Sequence, residues 1–390
     1  MKRAADDAAP ANGAPVRVTE YHGGQEWRHM SNFVCDFSVT TNYLGTPDHS
    51  IQEAAKATVA EAHHYPASNF EPALTKLTDF VKEGVSGDDA MKQRMMLGNG
   101  LSELIDLITR WAPDGSWRSA PYYAFGGTPL QYMEYERSAR AHGRKILTSA
   151  EKDEKEAMSV IINPSNPTGD WMTLDKLKSH IEATASNNTA VLVDESMLMW
   201  HSPAWRQHSL VSEREWVTKM LKEKNISVFV LHSWTKIFCC CGIRVGSALC
   251  PSEEIYTAIK AKQVPWSLNT AALRFLELCF DEDAYLKKTW DTTTELRART
   301  EKLVKQYFPN WTITGEPWLS WLWIDTHDEA LAAKVVEVSK AAGTPVRWGR
   351  HGYAVPTYIR IAVREAEHQD VLFNALATLS ATGGAAGGSA

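Results

Sequence analysis

The chain has 390 residues, of which 44% are hydrophobic and 23% charged, which allows a large apolar core and about two domains. A net charge of −6 without a basic stripe argues against a nucleic-acid partner. No apolar run approaches the roughly 20 residues that cross a bilayer, which argues against a membrane protein. The six cysteines show neither disulfide nor zinc spacing, so we expect free thiols, no metal site and a cytoplasmic location.

The two ends of the chain predict tails. Residues 1–19 are rich in Ala, Asp and Pro without an apolar core, which favours disorder over a signal peptide, and the Gly- and Ala-rich 378–390 resembles a flexible tail. Residues 20–49 hold turn formers without helical period and predict an extended segment. Helices are predicted over 50–64 and 71–84.

A turn with two glycines, G-N-G-L-S-E at 98–103, precedes an amphipathic helix. Backbone N–H groups at the start of that helix, together with the Ser102 hydroxyl, could bind an anion. An ordinary helix cap explains the same pattern and is commoner. Two tyrosines follow in A-P-Y-Y-A-F at 120–125, and they could stack on a planar ring or on each other.

A short buried strand is predicted at 159–162, and N-P-S-N-P-T-G follows it. Two prolines exclude a helix or central strand there, so the loop would hold the amide of Asn166 at the end of the strand. After a helix over 170–185, the next strand, 190–193, ends in Asp194. A half-desolvated carboxylate needs a cation, such as a protonated pyridine nitrogen, although a helix-capping Asp is equally consistent.

The stretch I-S-V-F-V-L-H-S-W-T-K at 226–236 predicts a buried strand with Lys236 just beyond its end. Flanking Trp and Phe side chains would lower the pKa of the amine and favour a Schiff base. Arg244, between Gly242 and Gly246, suits bidentate binding of a phosphate. An amine that can bind an aldehyde and a guanidinium that can bind a phosphate together suggest pyridoxal phosphate. An ordinary surface lysine would explain the position of Lys236 after the strand equally well.

Short buried strands that alternate with helices predict an α/β fold: a three-layer large domain with a mostly parallel sheet over 50–270. In such sheets the carboxyl ends of the strands meet at one edge, so the polar residues above would converge there. From 271 to 377 the pattern changes to a long helix (to about 308), strands, a helix and a strand. This predicts a smaller α+β C-terminal domain.

These motifs, in this order, resemble the fold type I pyridoxal-phosphate enzymes of the class I/II aminotransferase family over residues 20–375. The resemblance implies a Schiff base on Lys236, contact of Asp194 with the pyridine nitrogen and of Asn166 with the 3-oxygen, and a ring stacked on Tyr123. Arg360, in Y-I-R-I-A-V-R, matches the arginine that binds the substrate α-carboxylate.

The family also implies how the phosphate is bound. Tyr65 resembles the tyrosine that reaches the phosphate held by the neighbouring subunit of a homodimer. The contacts within one chain would come from Leu101, Ser102, Ser233 and Arg244.

Within the family, the motifs are most similar to the histidinol-phosphate aminotransferase and threonine-phosphate decarboxylase branch. H-G-G at 22–24 and D-F-S-x-x-x-N-x-L-G at 36–45 favour the decarboxylase. Two departures concern the substrate pocket: Met197 replaces the family's tyrosine, and Cys241 replaces a proline. Transamination of an L-amino acid is expected slightly ahead of α-decarboxylation, and a non-catalytic scaffold is disfavoured because both Lys236 and Asp194 are present.

The substrate side chain is the most open question. His22, Arg347 and Arg364 could bind a distal phosphate or carboxylate, or could be ordinary charged residues in ion pairs or in solvent. Asn42 belongs to the D-F-S-x-x-x-N motif and is a further candidate substrate ligand. A tryptophan cluster at 318–323 could wall a pocket for an aromatic side chain, although core packing is its commoner role.

Overall fold

The computed structural model describes residues 22–119, 124–125, 128–148, 151 and 153–383. The α-helices are α1 (Asp48–Glu61), α2 (Ala73–Lys82), α3 (Leu101–Trp111), α4 (Glu134–Ala141), α5 (Leu174–Thr184), α6 (Arg214–Lys224), α7 (Trp234–Ile237), α8 (Glu253–Lys260), α9 (Thr270–Cys279), α10 (Asp283–Tyr307), α11 (Glu329–Ala341) and α12 (Ala366–Gly383). The strands are β1 (Met95–Asn99), β2 (Trp117–Ser119), β3 (Ala124–Phe125), β4 (Thr128–Pro129), β5 (Met158–Ile162), β6 (Ala190–Asp194), β7 (Ser227–His232), β8 (Val245–Leu249), β9 (Thr312–Thr314), β10 (Trp321–Asp325), β11 (Arg347–Trp348) and β12 (Tyr358–Ala362).

A six-stranded sheet in the order β1-β8-β7-β6-β5-β2 forms the centre of the larger part of the molecule. Strands β2, β5, β6 and β7 run parallel, whereas β8 is antiparallel to both β7 and β1. This confirms the predicted α/β fold with a mostly parallel sheet. The parallel register aligns the ends of the strands, so that Ile162 pairs with Asp194 and Asp194 with Leu231.

The sheet is buried on both faces because alternate residues of each strand enter different cores. Val191 and Val193 of β6 pack in one apolar cluster, while Ala190 and Leu192 pack in the other. Both faces therefore need apolar side chains, which explains why the strands read as continuous Val, Ile and Leu runs. The charged residue of β6, Asp194, lies at the carboxyl end of its strand.

A smaller antiparallel sheet, in the order β11-β12-β10-β9, lies in the C-terminal part of the chain. Its apolar core includes Val304 of α10, Val335 of α11 and Phe373 of α12. Phe37 of the N-terminal segment forms a parallel bridge with Val346 and packs in the same core. The N-terminal segment is thereby attached to the C-terminal part.

Three expectations need correction. The predicted long helix over 271–308 is interrupted at 280–282. Its first part, α9, packs in the apolar cluster that contains Val191 and Val193 of β6, and the predicted domain boundary at 270 stays a prediction. Residues 26–29 form a short 3-10 helix within the predicted extended segment. The tail predicted from 378 begins as helix, because α12 continues to Gly383. Among the described residues, no helix has both the length and the apolar character that a membrane crossing requires.

Replacing Leu192 by alanine should lower the free energy of unfolding by about 2–5 kcal/mol, because its fully buried side chain leaves a cavity in the central strand. Urea unfolding followed by circular dichroism measures the change. Val371→Ala on the partly exposed face of α12 is the control, and its transition should move far less. Equal shifts for the two variants would contradict the placement of Leu192 in the core.

Candidate active site

The loops beyond the carboxyl ends of β5, β6 and β7 and the start of α3 surround a cavity of about 150 Å³. The N-terminal segment and the C-terminal sheet complete its wall. Ten of the residues singled out from the sequence line it: His22, Leu101, Ser102, Asn166, Asp194, Ser233, Lys236, Arg244, Arg347 and Arg360. The convergence expected from a parallel sheet is therefore present in the structure.

Lys236 lies on the single turn of α7, immediately after β7, and its side chain is half-buried. Its neighbours Trp234, Ile237 and Phe238 are fully buried and anchor the turn in the core. The backbone N–H of Asn42 donates to the carbonyl oxygen of Lys236 at 3.0 Å. The turn is thus fixed on both sides, which presents the amine to the cavity.

A cradle for an anion is formed where α3 begins beside Arg244. Gly100 has φ +74°, and a Cβ at this position would lie 2.1 Å from Nη2 of Arg244. A Cβ at Gly246 would lie 2.6 Å from the backbone nitrogen of Leu101. The two glycines allow the guanidinium and the N–H groups of the first helical turn to approach the same point, which suits a phosphate.

Asp194 ends β6 with its carboxylate held by two donors. The hydroxyl of Tyr135 donates to Oδ2 at 2.7 Å, and the backbone N–H of Ser196 donates to Oδ1 at 2.9 Å. The side-chain hydroxyl of Ser196 accepts from the N–H of Ser233 at 2.8 Å. A carboxylate supported in this way remains able to face a cation in the cavity.

Arg360 comes from β12 of the smaller sheet and reaches across to the large one. Its Nη1 donates to Oδ1 of Asn166 at 2.5 Å, and its Nη2 donates to the carbonyl oxygen of Ser38 at 2.7 Å. Its Nε is buried and has no hydrogen-bond partner among the described residues. A buried donor without an acceptor is unfavourable, so an anionic ligand at this position would be stabilised.

His22 and Tyr132 form another wall of the cavity, with ring centroids 5.2 Å apart. Nε2 of His22 lies 4.0 Å from Oε2 of Glu134. Burial lowers the pKa of His22, which outweighs the opposing effect of Glu134, so the imidazole is neutral near pH 7. The Glu134 carboxylate also accepts from Arg137 at 2.6 and 2.8 Å. The wall therefore offers neutral hydrogen-bonding groups.

Arg347 lines the cavity and supplies a permanent positive charge. Its Nη2 donates to the carbonyl oxygen of His351 at 2.7 Å, and its guanidinium lies over the ring of Tyr353. Burial lowers its pKa, but a guanidinium remains protonated at neutral pH. The cation fits the predicted contact with a distal phosphate or carboxylate, which stays a prediction.

Two predicted substrate ligands do not line the cavity. The side-chain amide of Asn42 donates to the carbonyl oxygen of Ile237 and to the hydroxyl of Thr289, so it supports the turn that carries the lysine. Arg364 is almost fully buried, and its guanidinium donates to the backbone of the N-terminal segment at 36, 39 and 41. Both side chains therefore stabilise segments that form the wall of the cavity and do not line it themselves.

Three further predictions concern aromatic residues. Tyr65 is 78% exposed, and its ring stacks on that of Trp266 at 4.5 Å, away from the cavity of its own chain. Its predicted contact with a neighbouring subunit therefore stays a prediction. Tyr123, the predicted stacking residue, lies outside the described residues. Trp321 and Trp323 are buried in the interior and do not line the cavity, as the core-packing alternative predicts.

Four lining or supporting residues were missed by the sequence analysis: Tyr132, Tyr135, Ser196 and Tyr353. The hydroxyl of Tyr353 lies 3.4 Å from both Asn166 Oδ1 and Arg360 Nη1. Only Ser196, two residues beyond Asp194, had a usable signal in the sequence. The tyrosines come from segments whose distance to the strand ends is set by tertiary packing.

The model of the family described as aminotransferase class I and II matches residues 34–376. The chain belongs to this family. The aminotransferase class I and II family uses pyridoxal phosphate, so the resemblance drawn from the sequence motifs and the predicted cofactor are both confirmed. The same match confirms the predicted enzyme class, a pyridoxal-phosphate-dependent aminotransferase.

Relatives of known name agree with this branch of the family. The chain is 26% identical over 375 residues to histidinol-phosphate aminotransferase 1 of Mannheimia succiniciproducens, with 93% of each chain covered. It is also 26% identical over 279 residues, 69% of each chain, to a protein of Caldanaerobacter subterraneus subsp. tengcongensis. The name of that protein is "Putative threonine-phosphate decarboxylase". The histidinol-phosphate aminotransferase of Sinorhizobium meliloti, solved with pyridoxal phosphate, superposes with a TM-score of 0.72 at 16% identity, covering 90% of this chain and 91% of that one.

The residues of this class I/II aminotransferase fit the cofactor. The glycine-lined cradle beside Arg244 suits the phosphate, the supported Asp194 carboxylate suits the pyridine nitrogen, and Lys236 offers an amine in the same cavity. Asn166, fixed by Arg360, is placed to meet the ring's 3-oxygen. The individual contacts of these residues with the cofactor stay predictions.

Gly100→Ala should weaken pyridoxal phosphate binding by roughly 10–100-fold, because the new Cβ would displace Arg244 and remove a charge-assisted hydrogen bond. Titration of cofactor-free protein, followed by visible absorbance, measures the dissociation constant. Gly84→Ala is the matched control, since its φ of +71° imposes similar strain but nothing lies within 4 Å of its Cβ. An unchanged affinity in Gly100→Ala would argue against the cradle.

Arg364→Lys should lower the free energy of unfolding by roughly 2–4 kcal/mol, because lysine cannot keep all the charge-assisted hydrogen bonds to the N-terminal segment. Limited proteolysis should then cleave within residues 22–41 faster. Arg299→Lys, at an exposed ion pair with Asp370, is the control and should change little. A raised KM for the amino acid with normal protease resistance would instead indicate a substrate ligand.

Proposed function

We propose that this enzyme transfers the amino group of an L-amino acid, or of a phosphorylated amino acid, to yield the 2-oxo acid. The observation that supports the proposal is the presence of Lys236, Asp194 and Arg360 in one cavity. An amine, a carboxylate for a ring nitrogen and a guanidinium for a substrate carboxylate are the three groups that this reaction needs. The match to the aminotransferase class I and II family supports the same reading.

Arg360 would bind and orient the substrate. Its buried Nε has no partner among the described residues, and a carboxylate would supply the acceptor. Because Asn166 and Ser38 hold the guanidinium in place, the bound carboxylate would fix the substrate in one orientation relative to Lys236. Such orientation contributes to catalysis by reducing the entropy lost at the reaction step.

Bound pyridoxal phosphate supplies an electron-withdrawing ring that stabilises negative charge at the α-carbon. Asp194 would hold the ring nitrogen in its protonated form through its ionised carboxylate. Nζ of Lys236 would take the proton from the α-carbon as a general base and deliver it again. The apolar anchoring of α7 would keep this amine at the cavity during both proton transfers.

The charge of the cavity favours a substrate with a second anionic group. With the phosphate on Arg244 and the α-carboxylate on Arg360, the guanidinium of Arg347, which also lines the cavity, would attract a distal phosphate or carboxylate. Neutral His22 and Tyr132 would add hydrogen bonds. By analogy, the relative named after threonine-phosphate decarboxylase supports a substrate with both a carboxylate and a phosphate, and the relatives named histidinol-phosphate aminotransferase support a phosphate group.

The alternative is α-decarboxylation, in which carbon dioxide leaves the α-carbon and a proton replaces it. Met197 favours this reading, since it lines the cavity at the position where the family's aminotransferases carry a tyrosine. The H-G-G motif that places His22 in the cavity points the same way. Which bond to the α-carbon stands perpendicular to the ring decides between the two reactions.

We also propose a cytoplasmic homodimer. All six cysteines are free thiols, as expected in a reducing compartment. The exposed pair of Tyr65 and Trp266, together with the 70% exposed Val264, forms an apolar surface suited to a second copy of the chain. Tyr65 would then reach the phosphate bound by the other subunit.

A single-turnover experiment tests the reaction. The cofactor-loaded protein is mixed, without a keto acid, with L-histidinol phosphate, O-phospho-L-threonine and a panel of L-amino acids. Equimolar pyridoxamine phosphate and oxidised product without carbon dioxide would support transamination and identify the donor. Carbon dioxide release with the cofactor unchanged would establish decarboxylation. Neither product with any compound would contradict both activities.

Lys236→Ala should lower the rate of either reaction by at least about 10³-fold, because it removes the proton-transfer group. It should also abolish attachment of the cofactor after borohydride reduction, which mass spectrometry detects. Lys262→Ala, which changes an exposed lysine beyond α8, is the matched control and should behave like the unaltered enzyme. Retention of reduced cofactor in Lys236→Ala would show that another lysine carries it.

A further inference from the structure

Tyr135, on the first turn of α4, makes a contact that none of the cofactor-binding motifs predicts. Its ring is fully buried, and its hydroxyl donates to Oδ2 of Asp194 at 2.7 Å across 59 residues of sequence. The other oxygen of the carboxylate is occupied by the N–H of Ser196. Asp194 therefore reaches the cavity with its orientation set from both sides.

The direction of this hydrogen bond is determined by charge. Burial, reinforced by the negative charge of Asp194, raises the pKa of Tyr135 well above its ordinary value, so the hydroxyl keeps its proton. Tyr135 is thus the donor, and Asp194 is the acceptor. Hydrogen bonds to an ionised acceptor are stronger than neutral ones, and they weaken steeply when the geometry changes.

A buried hydroxyl needs some partner, so burial alone could account for a hydrogen bond. It does not account for the choice of a carboxylate at the end of β6 that lines the cavity. The same short segment places the ring of Tyr132 in the cavity wall and the carboxylate of Glu134 near His22. The start of α4 therefore contributes to the site at several points, although its sequence carries no cofactor motif.

We propose that Tyr135 is a positioning residue that acts through Asp194 to keep the ring nitrogen of pyridoxal phosphate protonated. The hydroxyl fixes the orientation of the carboxylate, so that a free lone pair of its oxygen stays directed toward the nitrogen. The inference rests on the cofactor of the proposed function and is independent of the substrate and of which α-carbon bond breaks. Tyr135 itself does not line the cavity.

Loss of the hydroxyl would have two measurable consequences. The carboxylate would turn more freely and bind the cofactor less tightly. The ring nitrogen would also carry less positive charge. Because like charges would then repel each other less, Nζ of Lys236, which bonds the cofactor, would keep its proton to a higher pH. The visible absorbance of the bound cofactor reports that protonation directly.

Tyr135→Phe should raise the dissociation constant of pyridoxal phosphate by roughly 5–30-fold, as expected for one hydrogen bond to a charged group. The pH midpoint of the visible absorbance should move upward by about 0.5–1 unit. With the amino acid donor that the single-turnover experiment identifies, kcat should fall while KM changes little. Tyr256→Phe, which removes a hydroxyl from a tyrosine packed on the same apolar cluster, is the matched control.

A double-mutant cycle shows whether Tyr135 acts through Asp194. On an Asp194→Ala background, Tyr135→Phe should change neither the cofactor affinity nor the absorbance midpoint. If Tyr135→Phe fails to fold, site-specific replacement of Tyr135 by 3-fluorotyrosine keeps the ring and makes the hydroxyl a stronger donor. The midpoint should then move downward.

The outcomes separate this inference from the cofactor assignment. Unchanged affinity and midpoint in Tyr135→Phe, or the same changes in Tyr256→Phe, would overturn the role of Tyr135. A change that persists without the Asp194 carboxylate would also overturn it. Failure of the unaltered protein to bind pyridoxal phosphate would instead refute the proposed function.

Discussion

Burial of the six-stranded sheet on both faces confines the charged side chains of its central strands β5, β6 and β7 to the strand ends. Residues within β5, β6 and β7 pack into one apolar cluster or the other, and an unpaired charge there would be strongly unfavourable. Asp194 lies at the last position of β6, where it meets hydrogen-bond donors and the cavity. Lys236 follows β7 by one turn of helix. The chemistry is therefore concentrated at one edge of the sheet.

The second half of the site comes from the smaller sheet and the N-terminal segment. Arg360 and Arg364 are four residues apart, yet they have different surroundings. Arg360 belongs to β12, pairs across the sheet with Trp323 and reaches Asn166 in the cavity. Arg364 follows the strand and donates to backbone carbonyls of the N-terminal segment. One arginine faces the ligand, and the other attaches the segment that completes the wall.

A single chain of hydrogen bonds joins the regions suited to the two ends of the cofactor. Tyr135 and the N–H of Ser196 support Asp194 at the pyridine end, and the Ser196 hydroxyl accepts from the N–H of Ser233. The hydroxyl of Ser233, a predicted phosphate ligand, in turn lies 2.8 Å from that of Thr235, which also lines the cavity. Because these groups link the loops after β6 and β7, a shift of the Asp194 carboxylate would also displace the Ser233 hydroxyl.

The sequence by itself determined the mostly parallel sheet, the cofactor through the family resemblance of its motifs, and ten of the residues that line the cavity. The reason is local: apolar runs that end in Asp194, in N-P-S-N-P-T-G or in S-W-T-K place polar groups at strand ends, whatever the rest of the chain does. The tertiary structure decided which arginine faces the cavity, that Asn42 supports the lysine turn, and that Tyr135 contacts Asp194. These depend on which distant segments pack together, and neither residue type nor spacing encodes that distance.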